Sequence, residues 1–580
     1  QGLAQSTLEN QFKSQALEQV RQHYPHLPSE QLNALVNEKL QSALKEQADV
    51  FAQQKQLLAQ RFREQLEYDV DGVSYPYMPD IDPYHYLRYA RNILDTGVIS
   101  SVVGENGQLL DTDMLAPNGK SIDPLLHPYV IAWNHRLFSL FGKYPLPYTA
   151  GFVPIIIAAL AVIPAFFLGR RYGGTLAGFF AGLFVSISPA LVGRTMWGRA
   201  DTDVYNILFP LLIVWLVVES AHAKKWWSRC TLAGVAGLTA GLYAFAWSGW
   251  WYMFDFSLFA LGVGVIVSLV LWQWKGIVSE RKRIIELCSI GAVYVLFTMI
   301  ATGLILGSFF APALNAMFAP LDFSQNIKDA SQMNLWPNVY TTVAELNPGN
   351  VQTLVDQTTG TDRGFVRGLL VLLSLAGIVL AGFHKKRESW YDPVLVAFLA
   401  VWFFGTAYAS LKGVRFVFLF APAFSLAFGI GAGKLSWILS NAARRAMKIR
   451  TEWWMGLCAI VVFILLLTPY TNAIAIASSD VPIMNDGWFG ALSKIRTDTS
   501  NTSIITSWWD FGHHFKYVAE RRVTFDGASQ NQPQASWVGT LLLTTDERES
   551  VGILRMLDCG GNKAFETVEK EIGTLDAHEV

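Results

Sequence analysis

The chain has 580 residues, of which 52% are hydrophobic and only 16% are charged. Soluble domains are about 25% charged, so this deficit excludes an ordinary soluble protein and indicates several membrane-spanning helices. The net charge of −1 excludes the basic excess of a nucleic-acid binder, and the four cysteines are too few for a disulfide framework.

The first 146 residues are polar and precede every long apolar run. Residues 1–68 are rich in Gln, Glu and Lys, with apolar residues at helical spacing, which predicts two amphipathic helices outside the membrane. No signal peptide precedes this polar start, and we expect the sequence to be a fragment cut at both ends. Residues 69–146 contain the Pro-, Tyr- and Asp-rich stretch YPYMPDIDPYHYLRYA, which predicts a first external loop with short helices.

The segment 147–472 is predicted to be the transmembrane domain. It contains ten apolar runs that could cross a hydrocarbon layer of about 30 Å. These runs lie near 149–169, 174–193, 204–220, 231–247, 251–273, 284–307, 368–383, 394–410, 416–439 and 455–471.

Basic residues follow every odd-numbered run and give the predicted topology. They are Arg170 and Arg171; Lys224, Lys225 and Arg229; Lys275, Arg281, Lys282 and Arg283; Lys385, Lys386 and Arg387; and Arg444, Arg445, Lys448 and Arg450. The positive-inside rule makes these connections cytoplasmic. The opposite connections, including the long loop 308–367, are then external, as are the N-terminal region and everything after residue 472.

The C-terminal segment 473–580 is predicted to be a soluble external α/β domain that is truncated. TSIITSW and RRVTF have the composition of strands, and FGHHFKYVAE between them has helical spacing. This order places WWDFG, residues 508–512, at the carboxyl end of a strand and the start of a helix. Ligands of open α/β sheets bind at that position.

Carboxylates from separate external segments form a candidate metal site. Asp82 lies in the first external loop, Asp201 and Asp203 follow the second span, and Glu345 lies in the long external loop. Carboxylates near a membrane surface are costly unless they are solvated, paired or bound to a cation. Three or four of them form an all-oxygen site, which favours Mg²⁺ or Mn²⁺ over Zn²⁺.

The sequence Asp-Thr-Asp occurs twice, and only the second copy is a candidate. The first, at Asp111 and Asp113, lies among Gly, Asn and Pro, and we interpret it as a solvated loop. The second, at 201–203, follows a predicted span beside Arg194 and Arg199, where a helix end would fix its geometry.

Two further groups suggest ligands. Arg415 begins an apolar run and is either an arginine reaching the membrane interface or a guanidinium that binds a phosphate. Trp508 and Trp509 could belong to an interfacial aromatic belt. The carboxylate of Asp510 beside their indole N–H groups favours recognition of a hydroxyl, which both donates and accepts. A site built in this way rejects substrates that lack the hydroxyl.

Taken together, these motifs resemble the catalytic subunit of oligosaccharyltransferase, in particular the single-subunit bacterial and archaeal enzymes. The motifs that carry the resemblance are DPYHY at 82–86, DTD at 201–203, TVAE at 342–345, KGVRF at 412–416 and WWDFG at 508–512. Their order, spacing and predicted side of the membrane match over roughly residues 75–530.

The resemblance implies a metal-dependent glycosyltransferase of protein N-glycosylation. It would transfer an oligosaccharide from a polyprenyl phosphate or pyrophosphate carrier to Asn in Asn-X-Ser/Thr. By the same resemblance, Asp82 and Glu345 are catalytic, Arg415 binds the carrier phosphate, and Trp508, Trp509 and Asp510 bind the acceptor hydroxyl. Asp82, Asp201, Asp203 and Glu345 would hold Mn²⁺ or Mg²⁺. A prokaryotic inner or plasma membrane, with the active site on the non-cytoplasmic face, is also implied.

The sequence departs from the family pattern in two places. The family has a membrane span before the loop that contains Asp82, and no such span is found here. We also find no convincing copy of the family's later motif, which ends in Met or Ile and completes the hydroxyl pocket. The stretch RMLDCGGNKAFETVEK at 555–570 matches it only loosely. His513, His514 and Asn531 could touch the carrier phosphate, although buried polar residues of this kind are more often structural.

Two alternative functions share some of these features. Another polyprenyl-linked glycosyltransferase, acting on lipid or on Ser/Thr, would need the external carboxylates but not WWDFG. A transporter would need polar residues within its spans. The predicted spans are nearly free of them, so this alternative is disfavoured.

Overall fold

The structure is a computed structural model. It describes residues 2–24, 27–46, 48–104, 107–123, 125–330, 336, 343–383, 392–448, 450–530, 533–574 and 577. Of the residues named above, Lys385, Lys386, Arg387 and Asn531 lie outside the described part of the chain.

The polar N-terminal segment is helical, as its apolar spacing predicts, over three described stretches. They are α1 (Gly2–His23), α2 (Ser29–Glu46) and α3 (Ala48–Gln65). The first pair is stabilised by a small apolar cluster around Val20 and Val36. Gln47, between α2 and α3, lies outside the described residues, so the number of two helices stays a prediction.

The first external loop contains short elements that pack onto the ends of the membrane helices. A hairpin is formed by β1 (Glu67–Val70) and β2 (Val73–Pro76), and a second antiparallel pair by β3 (Leu110–Asp111) and β4 (Lys120–Ser121). The helices of this loop are α4 (Asp82–Thr96), α5 (His127–Ser139) and α6 (Leu146–Ala150).

Helices cover all ten predicted spans. In chain order, the described helices of this region are α7 (Val153–Gly173), α8 (Thr175–Ile187), α9 (Pro189–Thr195), α10 (Tyr205–His222), α11 (Trp226–Ala246), α12 (Trp251–Lys275), α13 (Ser279–Leu306), α14 (Ala311–Ala330), α15 (Val351–Thr359), α16 (Gly364–Ala381), α17 (Pro393–Lys412), α18 (Val417–Met447) and α19 (Thr451–Ser479). Two of them, α14 and α15, are additional to the predicted spans and lie within the predicted loop 308–367. In the described chain, eight helices are long and apolar enough to cross a membrane. The count is nine if α8 and α9, which are bent by 55°, form one span. The predicted span at α11 is not among them.

The helix α18 forms the centre of the membrane domain. Its residues from Val417 to Gly433 are all buried, and α7, α8, α16, α17 and α19 pack around it. Close packing depends on its glycines, because a Cβ at Gly431 would overlap the Leu373 carbonyl of α16, and one at Gly433 would overlap Ala177 of α8. Small residues allow helices to approach closely within a membrane.

The two ends of the helix bundle differ in chemistry. At one end, Asp392 contacts Tyr172 at 3.0 Å and His222 at 2.6 Å, and basic residues follow the helices. At the other end lie the connections that carry the candidate site residues. The predicted alternation of connections between the two sides of the membrane is therefore consistent with the fold.

The C-terminal domain begins after α19, whose helix continues to Ser479, beyond the predicted boundary at residue 472. It contains α20 (Asp486–Asp498), then β5 (Ile504–Ile505) and β6 (Arg522–Val523), which pair in parallel. Between the two strands lie a 3₁₀ turn at Trp509–Phe511 and the short helical segment α21 (Gly512–His514). The predicted strand–helix–strand order around WWDFG is thus present. Three helices complete the domain: α22 (Pro533–Leu543), α23 (Glu547–Gly560) and α24 (Lys563–Ile572).

Candidate active site

Asp82 is the first residue of α4, and a proline follows it in the first turn. Proline favours this position because its missing N–H would be unpaired there anyway, and the positive end of the helix dipole favours a carboxylate. Two residues earlier, Asp80 forms an ion pair with Arg199, which also binds Asp480 at 2.8 Å. Arg199 thereby joins the first external loop to the α9–α10 connection and the end of α19.

Asp201 and Asp203 flank a single 3₁₀ turn that precedes α10. The Asp201 carboxylate accepts a hydrogen bond from the Thr202 backbone N–H at 2.5 Å and so caps the turn. The Asp203 side chain is only 3% exposed, and its Oδ2 lies 3.2 Å from Nη1 of Arg194. A short helical turn therefore directs one carboxylate into the protein, against an arginine.

Glu345 reaches the same arginine from the long external loop. Its Oε1 lies 2.8 Å from Nη2 of Arg194, and its side chain is 48% exposed. The Asn347 carbonyl accepts a hydrogen bond from the Val414 N–H at 3.0 Å. This hydrogen bond holds the turn that contains Arg415 next to the Glu345 segment. Nη2 of Arg415 lies 3.8 Å from Oδ1 of Asp203. Arg194 is thus the bridge between the second Asp-Thr-Asp motif and Glu345.

The Asp82 carboxylate lies close enough to these groups to feel their charges. Burial, followed by the negative charges of Asp201 and Asp80, raises the pKa of Asp82 well above its ordinary value, while Arg415 opposes the rise. The side chain is nevertheless 41% exposed, so it is accessible from solvent. All four predicted carboxylates and Arg415 are therefore neighbours.

Two cavities border the turn at 414–416 and differ in polarity. One, of about 220 Å³, is lined by Arg194, Glu345 and Arg415 itself. The other, of about 330 Å³, is predominantly apolar. Its lining includes Trp247, Trp251, Tyr252, Phe256, Phe416 and Leu419. This arrangement suits a ligand with an anionic group attached to a hydrocarbon chain.

WWDFG forms the turn predicted for it. Trp508 packs edge-to-face on Phe525, with ring centroids 5.7 Å apart, and Trp509 contacts the same apolar cluster. Ile553 and Met556 of α23 also pack against this cluster. The stretch at 555–570, which the sequence alone did not place, therefore contributes to the surroundings of the two tryptophans. Burial raises the pKa of Asp510.

His513, directly after WWDFG, connects this turn with the carboxylate site. Its Nε2 lies 3.8 Å from Oδ1 of Asp82, and its Nδ1 lies 3.6 Å from Oδ2 of Asp526. Burial lowers the pKa of His513 to about 3, although Asp526 acts in the opposite direction, so the imidazole is neutral at pH 7. His514 packs edge-to-face on Tyr84, at 4.6 Å between ring centroids.

The first Asp-Thr-Asp motif is not a solvated loop, contrary to the interpretation from sequence. Arg88 of α4 forms ion pairs with both Asp111 and Asp113, and the Tyr89 hydroxyl donates to Asp111 at 2.7 Å. Asp111 is buried at the β3–β4 pair. The motif holds α4, and with it Asp82, against the rest of the external loop.

Sequence reasoning missed Arg194 and the Asp80–Arg199–Asp480 group as site residues. A signal was present for each, since both arginines precede the second Asp-Thr-Asp motif on one connection, and Asp80 precedes Asp82 by two residues. What the sequence lacked was the partner of each arginine, which lies far along the chain.

The carboxylate oxygens of this site suit a hard divalent cation, but some of these carboxylates form ion pairs with arginine. Among the described residues, no three His, Cys, Asp or Glu side chains are placed as ligands of a single ion. Asp203 and Glu345 have Arg194 as partner, whereas the charges of Asp82 and Asp201 repel each other. A divalent cation beside Asp82 and Asp201 would relieve that repulsion, so these residues fit Mg²⁺ or Mn²⁺.

Two family models match the chain. The model described as "Oligosaccharyl transferase STT3, N-terminal" matches residues 60–477, and the "STT3/PglB/AglB core domain" matches residues 501–574. The chain belongs to the STT3 family of oligosaccharyltransferases. The resemblance drawn from five short motifs is thereby confirmed. Most of the N-terminal helical segment precedes the STT3 match.

Curated relatives of this STT3 chain come from archaea and bacteria. It is 28% identical to a dolichyl-phosphooligosaccharide-protein glycotransferase of Methanococcus voltae, over 85% of this chain and 62% of the relative. It is 22% identical to the undecaprenyl-diphosphooligosaccharide–protein glycotransferase of Campylobacter jejuni subsp. jejuni, over 73% of this chain and 59% of the relative. The chain thus spans about three fifths of the length of these relatives.

Solved structures show the same fold. The apo form of the Archaeoglobus fulgidus oligosaccharyltransferase aligns with a TM-score of 0.61 at 17% identity, over 87% of this STT3 chain and 68% of that one. The A. fulgidus enzyme AglB in complex with an inhibitory peptide and a dolichol-phosphate aligns with a TM-score of 0.59 at 17% identity, over 83% and 65%. The predicted fold class, a polytopic helical membrane domain with a C-terminal soluble domain, is confirmed.

Proposed function

We propose that this chain transfers an oligosaccharide from a polyprenyl (pyro)phosphate carrier to Asn in Asn-X-Ser/Thr acceptors. The observation that supports this most is the meeting of Asp82, the 201–203 motif, Glu345 and Arg415 at the same end of the bundle, with His513 joining them to WWDFG. The relatives' names describe such a transfer. The active site is proposed to face the non-cytoplasmic side of a prokaryotic membrane.

The acceptor amide is the difficult partner in this reaction. Its nitrogen lone pair is delocalised into the carbonyl, so it is a poor nucleophile. Asp82 and Glu345, both partly exposed, can accept hydrogen bonds from the two amide hydrogens, which would orient the nitrogen and weaken its conjugation. Attack at the anomeric carbon of the glycan then forms the new C–N bond as the bond to the carrier phosphate breaks, one amide proton passes to a carboxylate of the site, and the carrier leaves as its phosphate or pyrophosphate.

The carrier side of the site is built around Arg415. Its guanidinium can bind the phosphate, and the apolar cavity beside it can receive the first part of the prenyl chain. Mg²⁺ or Mn²⁺ held by Asp82, Asp201, Asp203 and Glu345 would supply charge neutralisation to the departing phosphate. Arg415 shares that electrostatic task and is always protonated.

The acceptor side is built around Trp508, Trp509 and Asp510. We propose that they bind the hydroxyl of the Ser/Thr two residues after the modified Asn. The two indole N–H groups donate and the carboxylate accepts, so all the hydrogen-bonding capacity of a hydroxyl can be used. An acceptor without the hydroxyl would leave these groups unpaired, and discrimination then exceeds what an apolar pocket achieves.

The first test is a transfer assay with lipid-linked oligosaccharide and fluorescent peptides. We expect turnover of an Asn-X-Thr peptide and little turnover of Asn-X-Ala. Asp510→Ala should lower kcat/KM for the Thr peptide by about 10- to 100-fold, since a lost hydrogen bond to a charged group costs about 1.5–3 kcal/mol. The exposed Asp498→Ala in the same domain is the matched control. Equal turnover of the Thr and Ala peptides by the wild type would contradict the proposed acceptor.

The second test concerns the cation. We expect EDTA to abolish transfer and Mn²⁺ to restore it, because the leaving phosphate needs more positive charge than one arginine offers. Mn²⁺ binding is measured as the decrease of the EPR signal of free Mn²⁺. We expect Asp201→Asn to bind Mn²⁺ more weakly than the wild type. Full turnover in EDTA, or unchanged Mn²⁺ binding by this variant, would contradict the proposed site.

A further inference from the structure

Three separate turns converge beneath Asp82, and glycines allow them to do so. They are the start of α4, the WWDFG turn and the 526–529 turn after β6. A Cβ at Gly512 would overlap the backbone and Cβ of Asp526, and a Cβ at Gly527 would lie 2.9 Å from Nε2 of His513 and 3.6 Å from Oδ1 of Asp82. A side chain at either glycine would therefore push the three turns apart.

Asp526 is the fixed point of this arrangement. Its Oδ1 accepts hydrogen bonds from the Ala528 N–H at 2.9 Å and the Ser529 hydroxyl at 3.0 Å. Its Oδ2 forms an ion pair with Lys516, and both side chains are completely buried. A buried carboxylate held by a backbone turn and a buried lysine has little freedom to move.

His513 lies between this fixed carboxylate and Asp82. Its two nitrogens approach one carboxylate each, at 3.6 Å to Asp526 and 3.8 Å to Asp82, and its side chain is 2% exposed. The His85 ring, one turn after Asp82 on α4, packs on the His513 ring with centroids 4.9 Å apart. The imidazole is thereby held in the gap between the acceptor-binding turn and the carboxylate site.

We propose that His513 is a positioning residue for Asp82, acting through Nε2, with Asp526 and Lys516 as its support. The inference rests on the proposed function, because it assigns a role in placing the carboxylate that binds the acceptor amide. The imidazole presents one nitrogen toward each of the two carboxylates, so it can fix the orientation of Asp82 relative to the buried Asp526. His513 also connects the WWDFG turn, which is proposed to bind the Ser/Thr hydroxyl, with the Asp82 carboxylate.

The test uses two substitutions that each keep one side of the imidazole. In His513→Gln, the amide nitrogen occupies the place of Nε2 and keeps the contact toward Asp82. In His513→Asn, the amide nitrogen occupies the place of Nδ1 and keeps the contact toward Asp526. We expect Asn to lower kcat by about 10- to 100-fold, the loss typical of a partner that orients a ligand or catalytic group. His513→Gln should retain most of the wild-type kcat. The KM for the lipid-linked donor should stay unchanged in both, and His135→Gln on α5 is the control for the substitution type.

The opposite order, with Asn active and Gln impaired, would show that only the contact with Asp526 matters and would overturn the proposal. Equal kcat values for the two variants, when both keep the Tm of the wild type, would also overturn the proposal. If His513→Asn lowers the Tm, a double-mutant cycle with Asp82→Glu decides the matter: non-additive losses in kcat support the proposal and additive losses overturn it. Absence of Asn-X-Thr turnover in the wild type would instead contradict the proposed function itself.

Discussion

Asp82→Asn should abolish transfer and leave the protein at least as stable as the wild type. We expect kcat to fall by about 10³-fold, because the variant can no longer accept an amide hydrogen with a charged oxygen. Stability should not fall, because burial and the charges of Asp201 and Asp80 already disfavour the ionised carboxylate. A carboxyl whose pKa is raised in the folded protein costs stability at neutral pH, and a neutral amide of the same shape removes that cost.

The measurement pairs the transfer assay with the Tm of the purified protein in detergent. Asp95→Asn, at the exposed far end of the same helix, is the matched control and should keep wild-type turnover. Asp201→Asn should behave like Asp82→Asn, since the two charges repel each other. A large drop in Tm for Asp82→Asn would show that this carboxylate stabilises the fold and would contradict the expectation.

Local sequence patterns predicted most of the helices. Runs such as 149–169 and 416–439 are apolar over the length of a membrane span, and helices cover both. Such runs need no knowledge of distant residues, because the backbone of a lipid-exposed segment must satisfy its own hydrogen bonds.

The site residues also fall into those that local sequence predicts and those that depend on distant partners. Asp82, Asp201 and Glu345 could be found because their residue types, motif order and side of the membrane are written in the sequence. The ion pairs of Arg194 and the role of Asp111 could not, because each depends on a partner brought near by folding. Arg194 meets Glu345 across 151 positions, and the Gly, Asn and Pro around Asp111 indicate a loop without indicating that an ion pair buries it.

Arg88→Met should destabilise the protein by about 3–5 kcal/mol, the effect of removing one partner of a buried ion pair. Asp111 would then remain buried without its cation. Burial alone would raise the pKa of Asp111, but Arg88 and Lys516 outweigh it and hold the pKa below its ordinary value. A depressed pKa means that the stabilisation is present above the unfolded carboxyl's pKa of about 3.9 and is lost as acid protonates Asp111. The variant should therefore lose stability at pH 7 and much less at low pH.

The double variant Arg88→Met with Asp111→Asn separates charge from packing. It should recover much of the lost Tm, because the amide introduced at position 111 carries no charge and can still accept the Tyr89 hydroxyl hydrogen bond. Arg63→Met is the control, since the Arg63 side chain is 76% exposed in its pair with Glu67, and pairs of this kind contribute at most about 1 kcal/mol. A Tm for Arg88→Met within the range of that control would mean that Asp111 finds water or another donor once Arg88 is gone. The ion pair would then not be what fixes α4. Recovery in the double variant, together with restored transfer, would show that the first Asp-Thr-Asp motif serves catalysis only by holding the helix that begins at Asp82.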